Sequence, residues 1–363
     1  MSAPEGRFTP LLDQHRALGA RLTEFAGWDM PLQYAGVIAE HNAVRSDCGV
    51  FDVSHLGKVR VSGQAGGDAL QRALTADVLG LEPGRARYSL VLTNEGTTVD
   101  DVFVYRIADD EWMVVPNAAN VGAVTEMIRD SHTGGAENVV DEWDRWAILA
   151  VQGPNSYAVF ERVFPSSGAT DLKLHRFVHI DVLGESGLVA RTGYTGERGF
   201  ELYAPAAVAA EAFAGLLDAG ATPVGLGARD TLRLEMGYAL YGHELSLEIN
   251  PLEAGLGWAI AWDGEFRGKD PLEKVRDEGP ARTLVGVMCT DRGVPRQGHA
   301  LFEGERRIGE LTSGNFSPTL NTGIGLALVE RDAVPDPGTR VAIEARGRRV
   351  DADIVKPPFV KRK

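Results

Sequence analysis

Hydrophobic and polar positions along this chain follow two textures. Up to about residue 262, helical and strand periods are mixed. In 36–47 (GVIAEHNAVRSD) Val37, Ile38 and Val44 fall on one helical stripe, and in 68–74 Ala69, Leu70, Ala73 and Leu74 form another. Val59 and Val61 alternate with polar neighbours, which predicts a strand. VDDVFVYRI (99–107) predicts a second strand, with Asp101, Phe103, Tyr105 and Ile107 on one face. Segments 206–217 and 228–240 predict helices, each after a Pro- or Gly-containing stretch. The order is that of an α+β protein rather than a regular βαβ alternation.

After Trp262 the texture changes. Asp270-Pro271 predicts a capped helix start with proline at the first helical position, and the helix should run to about Arg276. Beyond Gly279 come strand-like runs with glycine turns (TLVGVMCT, HALFEGERRIGELTSG, GIGLALVE, TRVAIEARGRRVDADIV), with hairpin turns at Glu303-Gly304 and Arg346-Gly347. This predicts a small all-β barrel or sandwich and a boundary near 278–283, dividing the chain into 1–280 and 281–363.

Composition narrows the function more than the fold. The chain has 363 residues, 44% hydrophobic and 24% charged, enough apolar mass for a real core. Its net charge of −14 argues against a nucleic-acid partner, which requires a basic patch. An anionic small molecule would need its own arginine or lysine inside a pocket. Two cysteines without a C-x-x-C argue against a disulfide framework or a Cys-rich zinc site and fit a reducing compartment. The most Ala/Leu-rich run, 204–217, contains Pro205 and Glu211 and falls short of the roughly 18 apolar residues that a membrane span needs. The opening MSAPEGRF lacks a signal architecture, so a cytoplasmic location is expected.

The candidate chemistry is concentrated in three places. The eight histidines are scattered; the closest pair, His175 and His179, lacks the zincin glutamate, so surface or packing roles are expected and no metal site is assigned. Phosphate-loop and nucleophile-elbow motifs are absent. TGYTGERGFELY (192–203) reads either as a tight glycine hairpin or as a backbone that admits a flat ligand, with Glu201 and Tyr203 on one strand face. In 227–245 Arg229 and Arg233 stand four apart, either as solvated or salt-bridged arginines or as a planar fork for an anionic or carbonyl-rich ligand. Asp100-Asp101 either opens an edge strand or turns one carboxylate inward, where it needs a partner.

FAGWDMP, GVFDVSHLG, YSLVLTNEGTTVDD, TGYTGERGFELY, GARDTLRLEMGYALYG, NPLEAGLGW and TSGNFSPTL occur in this order from about Thr9 to Phe359. Together they closely resemble the T-protein family of the glycine cleavage system, the tetrahydrofolate-dependent aminomethyltransferases. The resemblance implies a three-domain cloverleaf with a central folate channel, built from a folate-binding region of two intertwined lobes (1–280) and a C-terminal β-barrel (281–363). Carried over by position, Asp101 matches the catalytic aspartate and Glu201 the glutamate that binds the pterin ring. Arg229 matches a folate arginine, and Tyr88, Tyr105, Asn117, Tyr194, Tyr238 and Trp258 match channel positions. Arg296 matches the arginine that contacts the lipoyl arm. The pattern departs at Leu56, Thr97, Thr98 and Pro116, and Leu in place of the expected Met at position 56 conserves volume.

The resemblance further implies transfer of the methylene carbon of an aminomethyl group from the dihydrolipoyl arm of H-protein to tetrahydrofolate, a co-substrate, with ammonia released. No metal is needed. P- and L-proteins are implied as loose complex members. The same fold also serves folate-dependent demethylases and a non-catalytic folate-binding assembly protein. The K-G-C motif of the latter is absent. Against the chain's acidic balance, carrier docking is expected at a local basic surface, with Arg292, Arg296 and the tail Lys361, Arg362 and Lys363 as candidates.

Overall fold

The computed structural model describes residues 6–361 apart from Ser166 and Arg346. The turn expected at Arg346 and the tail residues Arg362 and Lys363 therefore lie outside the described residues. The chain folds as two compact units. Of the described residues, one takes those within 6–70, 78–88 and 102–229, the other those within 71–77, 89–101 and 230–361.

The first unit is mixed helix and sheet. A six-stranded sheet runs Phe177–Val182, Glu185–Ala190, Gly199–Pro205, Trp146–Gln152, Gly49–Asp52 and Thr222–Val224. Its central strands read as continuous apolar runs because both faces are covered, and Trp146–Gln152 and Gly199–Pro205 pair antiparallel over their whole length. The helix Ala206–Asp218 turns Ala209, Ala212, Phe213 and Leu216 into the core, against Val50, Leu149, Val151, Phe160 and Phe200. A second sheet, of which residues 89–92 and 98–101 are counted with the other unit, runs Arg85–Leu92, Thr98–Ala108, Glu111–Val115, Val59–Ser62 and Val139–Asp141. Thr98–Ala108 is thus an interior strand, not the edge strand that Asp100-Asp101 could have opened. The expected helices at 36–47 and 68–74 form as Val37–Ser46 and Gly66–Ala73.

The second unit is dominated by a closed barrel in the order Arg282–Cys289, Thr322–Glu330, Arg306–Ser317, Ala300–Glu303, Arg340–Ala345 and Arg348–Val355. Alternate residues such as Val285, Val287, Leu301, Leu311, Val341 and Ile343 fill it. Closure removes the exposed strand edges that an open sheet would leave.

Two helix predictions need correction. The segment expected to be helical over 228–240 is the helix Leu226–Glu235. It stops early because Gly237 takes φ +69° and Tyr238 N–H returns to the Arg233 carbonyl at 3.1 Å, which closes the C-terminus. A side chain at Gly237 would also meet Pro357. The helix expected to be capped by Asp270 is Lys269–Glu278 and starts two residues earlier, from Gly268 in the left-handed region. Asp270 instead sits in its first turn, where its charge complements the helix dipole.

Candidate functional site

In the first unit, the segment 192–198 is a long loop rather than a tight hairpin. It leaves the strand Glu185–Ala190 and enters Gly199–Pro205, whose ladder closes only at the pair Ala190–Glu201. The loop is fastened from both sides. Gln152 Nε2 donates to the Thr192 carbonyl at 3.2 Å and Thr195 Oγ1 donates to Gln152 Oε1 at 2.8 Å. Arg45 Nη1 donates to the Thr195 carbonyl at 2.7 Å and to Glu197 at 2.8 Å. Glycine is required at 193 and 199, where a Cβ would lie 2.1 Å from Gln152 Oε1 and 2.2 Å from the Val151 carbonyl oxygen.

This fastening places three side chains with chemistry around one spot. Glu201 is 9% exposed and accepts a short hydrogen bond from Thr192 Oγ1. Burial holds its carboxyl above the usual range, and the Thr192 bond and the positive charge of Arg229 only partly offset this. Arg229 lies with its guanidinium 4.8 Å from the centre of the Tyr194 ring. Its Nη1 is buried and has no hydrogen-bond partner among the described residues.

An aromatic cluster continues from Glu201. Tyr203, on the same strand face, donates from its hydroxyl to Tyr105 Oη at 2.9 Å, and Tyr105 Oη lies 3.5 Å from Thr192 Oγ1. Burial and the nearby Glu201 charge hold the Tyr105 phenol above its usual range, so both phenols act as neutral hydrogen-bonding groups. Phe103 packs on Tyr88 at 5.7 Å, on Tyr105 at 6.3 Å and on His175 at 5.5 Å between ring centres. Of the expected residues, Glu201, Arg229, Tyr194, Tyr105 and Tyr88 thus belong to this region of the first unit. Asn117 is half-buried and opens the 3-10 turn Ala118–Asn120.

The turn 52–58 is where the sequence reading missed most. Asp52 is fully buried. It accepts from Thr9 at 2.6 Å and from the Ser54 N–H at 2.8 Å, and it pairs with His15 Nε2 at 2.8 Å. Burial raises the Asp52 carboxyl, but these partners outweigh it and hold the group below the ordinary value. Lys58 Nζ donates to the Ser54 carbonyl at 2.7 Å; burial lowers its ammonium to about 7, against the pull of Asp52, Asp141 and Asp144. In this turn His55 is 3% exposed. The only sequence signal was the density of D, S, H and K in DVSHLGK.

The remaining candidates lie in the second unit. Asp100 is fully buried and its charge reaches Tyr241, whereas Asp101 is half-buried, the split that strand alternation requires. Tyr238 follows the helix Leu226–Glu235 and accepts from Arg233 Nη1 through its carbonyl at 3.0 Å. Trp258 is 69% exposed on the turn Gly257–Ala259. Arg296, exposed, donates from Nη1 to the Gly314 carbonyl at 3.1 Å and to Asn315 Oδ1 at 2.9 Å.

Comparison with known proteins adds an independent finding. Residues 11–264 match the GCVT N-terminal domain family and residues 282–361 the glycine cleavage T-protein C-terminal barrel domain. An aminomethyltransferase of Halothermothrix orenii is 43% identical over 97% of this chain and 99% of its own. One from Mycobacterium bovis is 45% identical over 98% of both. A crystal structure of the glycine cleavage system aminomethyltransferase T from Bartonella henselae matches with a TM-score of 0.91 at 33% identity, over 98% of this chain and 99% of that one. With relatives of this closeness along nearly its whole length, the demethylase and assembly-protein alternatives are not favoured. The chain belongs to the glycine cleavage T-protein family and is an aminomethyltransferase.

Proposed function

We propose that this aminomethyltransferase moves the methylene carbon of an aminomethyl group from the dihydrolipoyl arm of a lipoylated H-protein to tetrahydrofolate. The products are 5,10-methylenetetrahydrofolate, ammonia and the free dihydrolipoyl thiol. The observation that carries the reading is the buried Glu201 carboxyl beside Arg229 and Tyr194, next to the Tyr105–Tyr203 pair. A carboxylate that can accept two hydrogen bonds suits the amino-pyrimidinone edge of a pterin, and aromatic walls suit its flat faces. Burial makes ionised Glu201 costly, and donors on the pterin edge would relieve that cost. Tyr88, Asn117, Tyr238 and Trp258 complete the proposed folate contacts, and Arg296 is proposed to contact the lipoyl arm.

The reaction needs no covalent enzyme nucleophile, because the thioaminal carbon is already activated. The folate 5-nitrogen attacks that carbon as ammonia departs, and the 10-nitrogen closes the ring as the thiol leaves. Asp101 is assigned to hold these nitrogens in register, to accept a proton and to stabilise the iminium-like cation between the two steps. P- and L-proteins are placed as loose partners and the enzyme in the cytoplasm. The segments 1–280 and 281–363 are assigned as the folate-binding region and the barrel domain. Among the described residues no helix is long and apolar enough to cross a membrane.

The test is turnover of aminomethylated H-protein with tetrahydrofolate, read as methylenetetrahydrofolate formed. Asp101→Asn should lower turnover roughly a hundredfold or more while folate affinity stays within about tenfold. Equal losses in both would make Asp101 an anchoring residue. Absence of product with the wild-type enzyme would overturn the reading.

A further inference from the structure

One buried group in the first unit is left unexplained by everything above. His55 is 3% exposed, yet its Nδ1 is shut off from solvent and has no hydrogen-bond partner among the described residues. Such a nitrogen is costly to leave in a folded interior, and native proteins rarely leave one without a reason. The ring is not loosely placed. Trp143 Nε1 donates to the His55 carbonyl at 3.0 Å, and Phe25 meets the ring edge-to-face at 5.4 Å between centres. Gly57 N–H donates to the Pro116 carbonyl at 2.9 Å just beyond it, and Lys58 ties the Ser54 carbonyl just before it. The backbone is thus held on both sides of the residue, and burial and the Phe25 contact confine the ring.

A second orphan lies within electrostatic range. Arg229 is one of the two cations whose charge bears on His55, and it presents the equally buried and unpartnered Nη1. Burial, then Arg229, then Lys58 lower the imidazole to about 3, with only Asp52 opposing, so the ring is neutral at any working pH. A neutral ring has one N–H, and the tautomer that carries it on Nδ1 is a donor without a charge. In that tautomer the site presents two orphaned donors, one cationic and one neutral, which call for an oxygen acceptor.

We propose that His55 is a ligand-contacting residue of this site, and that its Nδ1–H and Arg229 Nη1–H are satisfied by a carbonyl or carboxylate oxygen of the bound reduced folate. The inference rests on the folate reading above. It adds a residue to the recognition surface and a reason for its neutrality: a cationic imidazole beside Arg229 would repel the arginine that it works with. His55 takes no part in proton transfer in this assignment.

The experiment measures binding of tetrahydrofolate, kept reduced under argon, by titration calorimetry with the full chain. Wild-type enzyme that fails to bind overturns the function proposed above; the arms below apply once it binds. His55→Leu should bind at least tenfold more weakly with an unchanged melting temperature. His55→Asn, whose amide nitrogen can occupy the place of Nδ1, should bind within about threefold of wild type. His55→Gln, which reaches instead toward the place of the other ring nitrogen, should resemble His55→Leu. Wild-type affinity in His55→Leu would overturn the proposal, and so would equal losses in all three variants. If the variants do not fold, ¹⁵N-labelled imidazole resonances of the wild-type enzyme decide. Folate addition should shift the His55 Nδ1 signal, and an unmoved signal would overturn the assignment.

Discussion

Arg229 and Arg233 stand one turn apart on the same helix, and the fold treats them in opposite ways. Arg233 is 1% exposed and saturated. Nε donates to Asp230 at 2.9 Å, Nη1 to Glu244 and to the Tyr238 carbonyl, both at 3.0 Å, and Nη2 to Ser313 at 2.8 Å. Glu244 is fully buried and is satisfied in turn by Thr312 at 2.6 Å and by the Leu240 N–H at 3.1 Å. Arg229 stacks on Tyr194 and leaves a buried nitrogen without a partner. A buried arginine whose donors end on the protein stiffens its unit, whereas one that keeps a buried nitrogen without a partner is held for something that arrives. Residue type and spacing could not separate the two. The difference lies in their partners, which the fold assigns: Asp230, Tyr238, Glu244 and the distant Ser313 gather on Arg233, and Tyr194 stacks on Arg229.

The comparison breaks most easily at Arg233. Arg233→Met keeps much of the volume but strands Glu244 without its cation, and losing one partner of a buried ion pair costs about 3–5 kcal/mol. Denaturant unfolding should show that loss, with the activity of the remaining folded fraction close to normal. A change below about 0.5 kcal/mol, the scale of an ordinary surface substitution, would mean that the network is not structural.

Arg229→Lys sharpens the other side. The ammonium keeps the charge but cannot supply the planar fork or the same stacking on Tyr194. Folate affinity should fall about tenfold to a hundredfold, where each tenfold is about 1.4 kcal/mol. The melting temperature should move little, since Nη1 has no protein partner to lose. A drop in stability as large as that of Arg233→Met would erase the distinction.

Much of this was legible beforehand, and the gaps have physical causes. Period-2 and period-3.6 patterns located Thr98–Ala108, Val37–Ser46, Ala206–Asp218 and the barrel strands, because each buries one face or fills one interior. Helix ends were less legible. Leu226–Glu235 stops at a glycine whose left-handed turn is compatible with helical residues on either side, so Met236 and Leu240 still looked periodic. The 192–203 segment was visible as unusual, but its form depends on Gln152 and Arg45, which are distant in sequence. His55 and His15 could not be told from packing histidines, since only the fold reveals that one is satisfied by Asp52 and that the other keeps an orphaned nitrogen.

Glu201 offers a test through pH. A carboxyl held above its ordinary value binds its proton more tightly in the folded state than in the unfolded one. Stability therefore falls as pH rises from the ordinary carboxylate value through the raised one, and the whole penalty is present above it. Glu201→Gln removes that penalty. The ligand-free variant should melt slightly higher than wild type at neutral pH and lose this part of the pH slope, while binding folate more weakly. Differential scanning calorimetry across pH 4–8 measures the first, and titration calorimetry the second. A variant less stable than wild type at neutral pH would show that Glu201 serves the fold rather than the ligand.

The smallest effect is expected at Arg296, which extends the comparison to the surface. Its partner Asn315 donates from Nδ2 to Asp230 at 3.0 Å, and Asp230 accepts from Arg233, so Arg296 is the exposed end of the saturated network. Both of its side-chain bonds come from Nη1, to the Gly314 carbonyl and to Asn315. The guanidinium is therefore anchored on one edge and open to solvent. Contacts at such a position are weak and screened, because exposed charges interact across water and the Debye length is about 8 Å at physiological salt. Arg296→Ala should raise the KM for H-protein roughly threefold to tenfold, the scale of a lost exposed charge contact. Folate affinity and stability should stay near wild type, since the rest of the network keeps Arg233 paired. Added salt should raise the wild-type KM more steeply than that of the variant. If both respond to salt alike, the carrier docks on another basic surface, and Arg292 becomes the next residue to substitute.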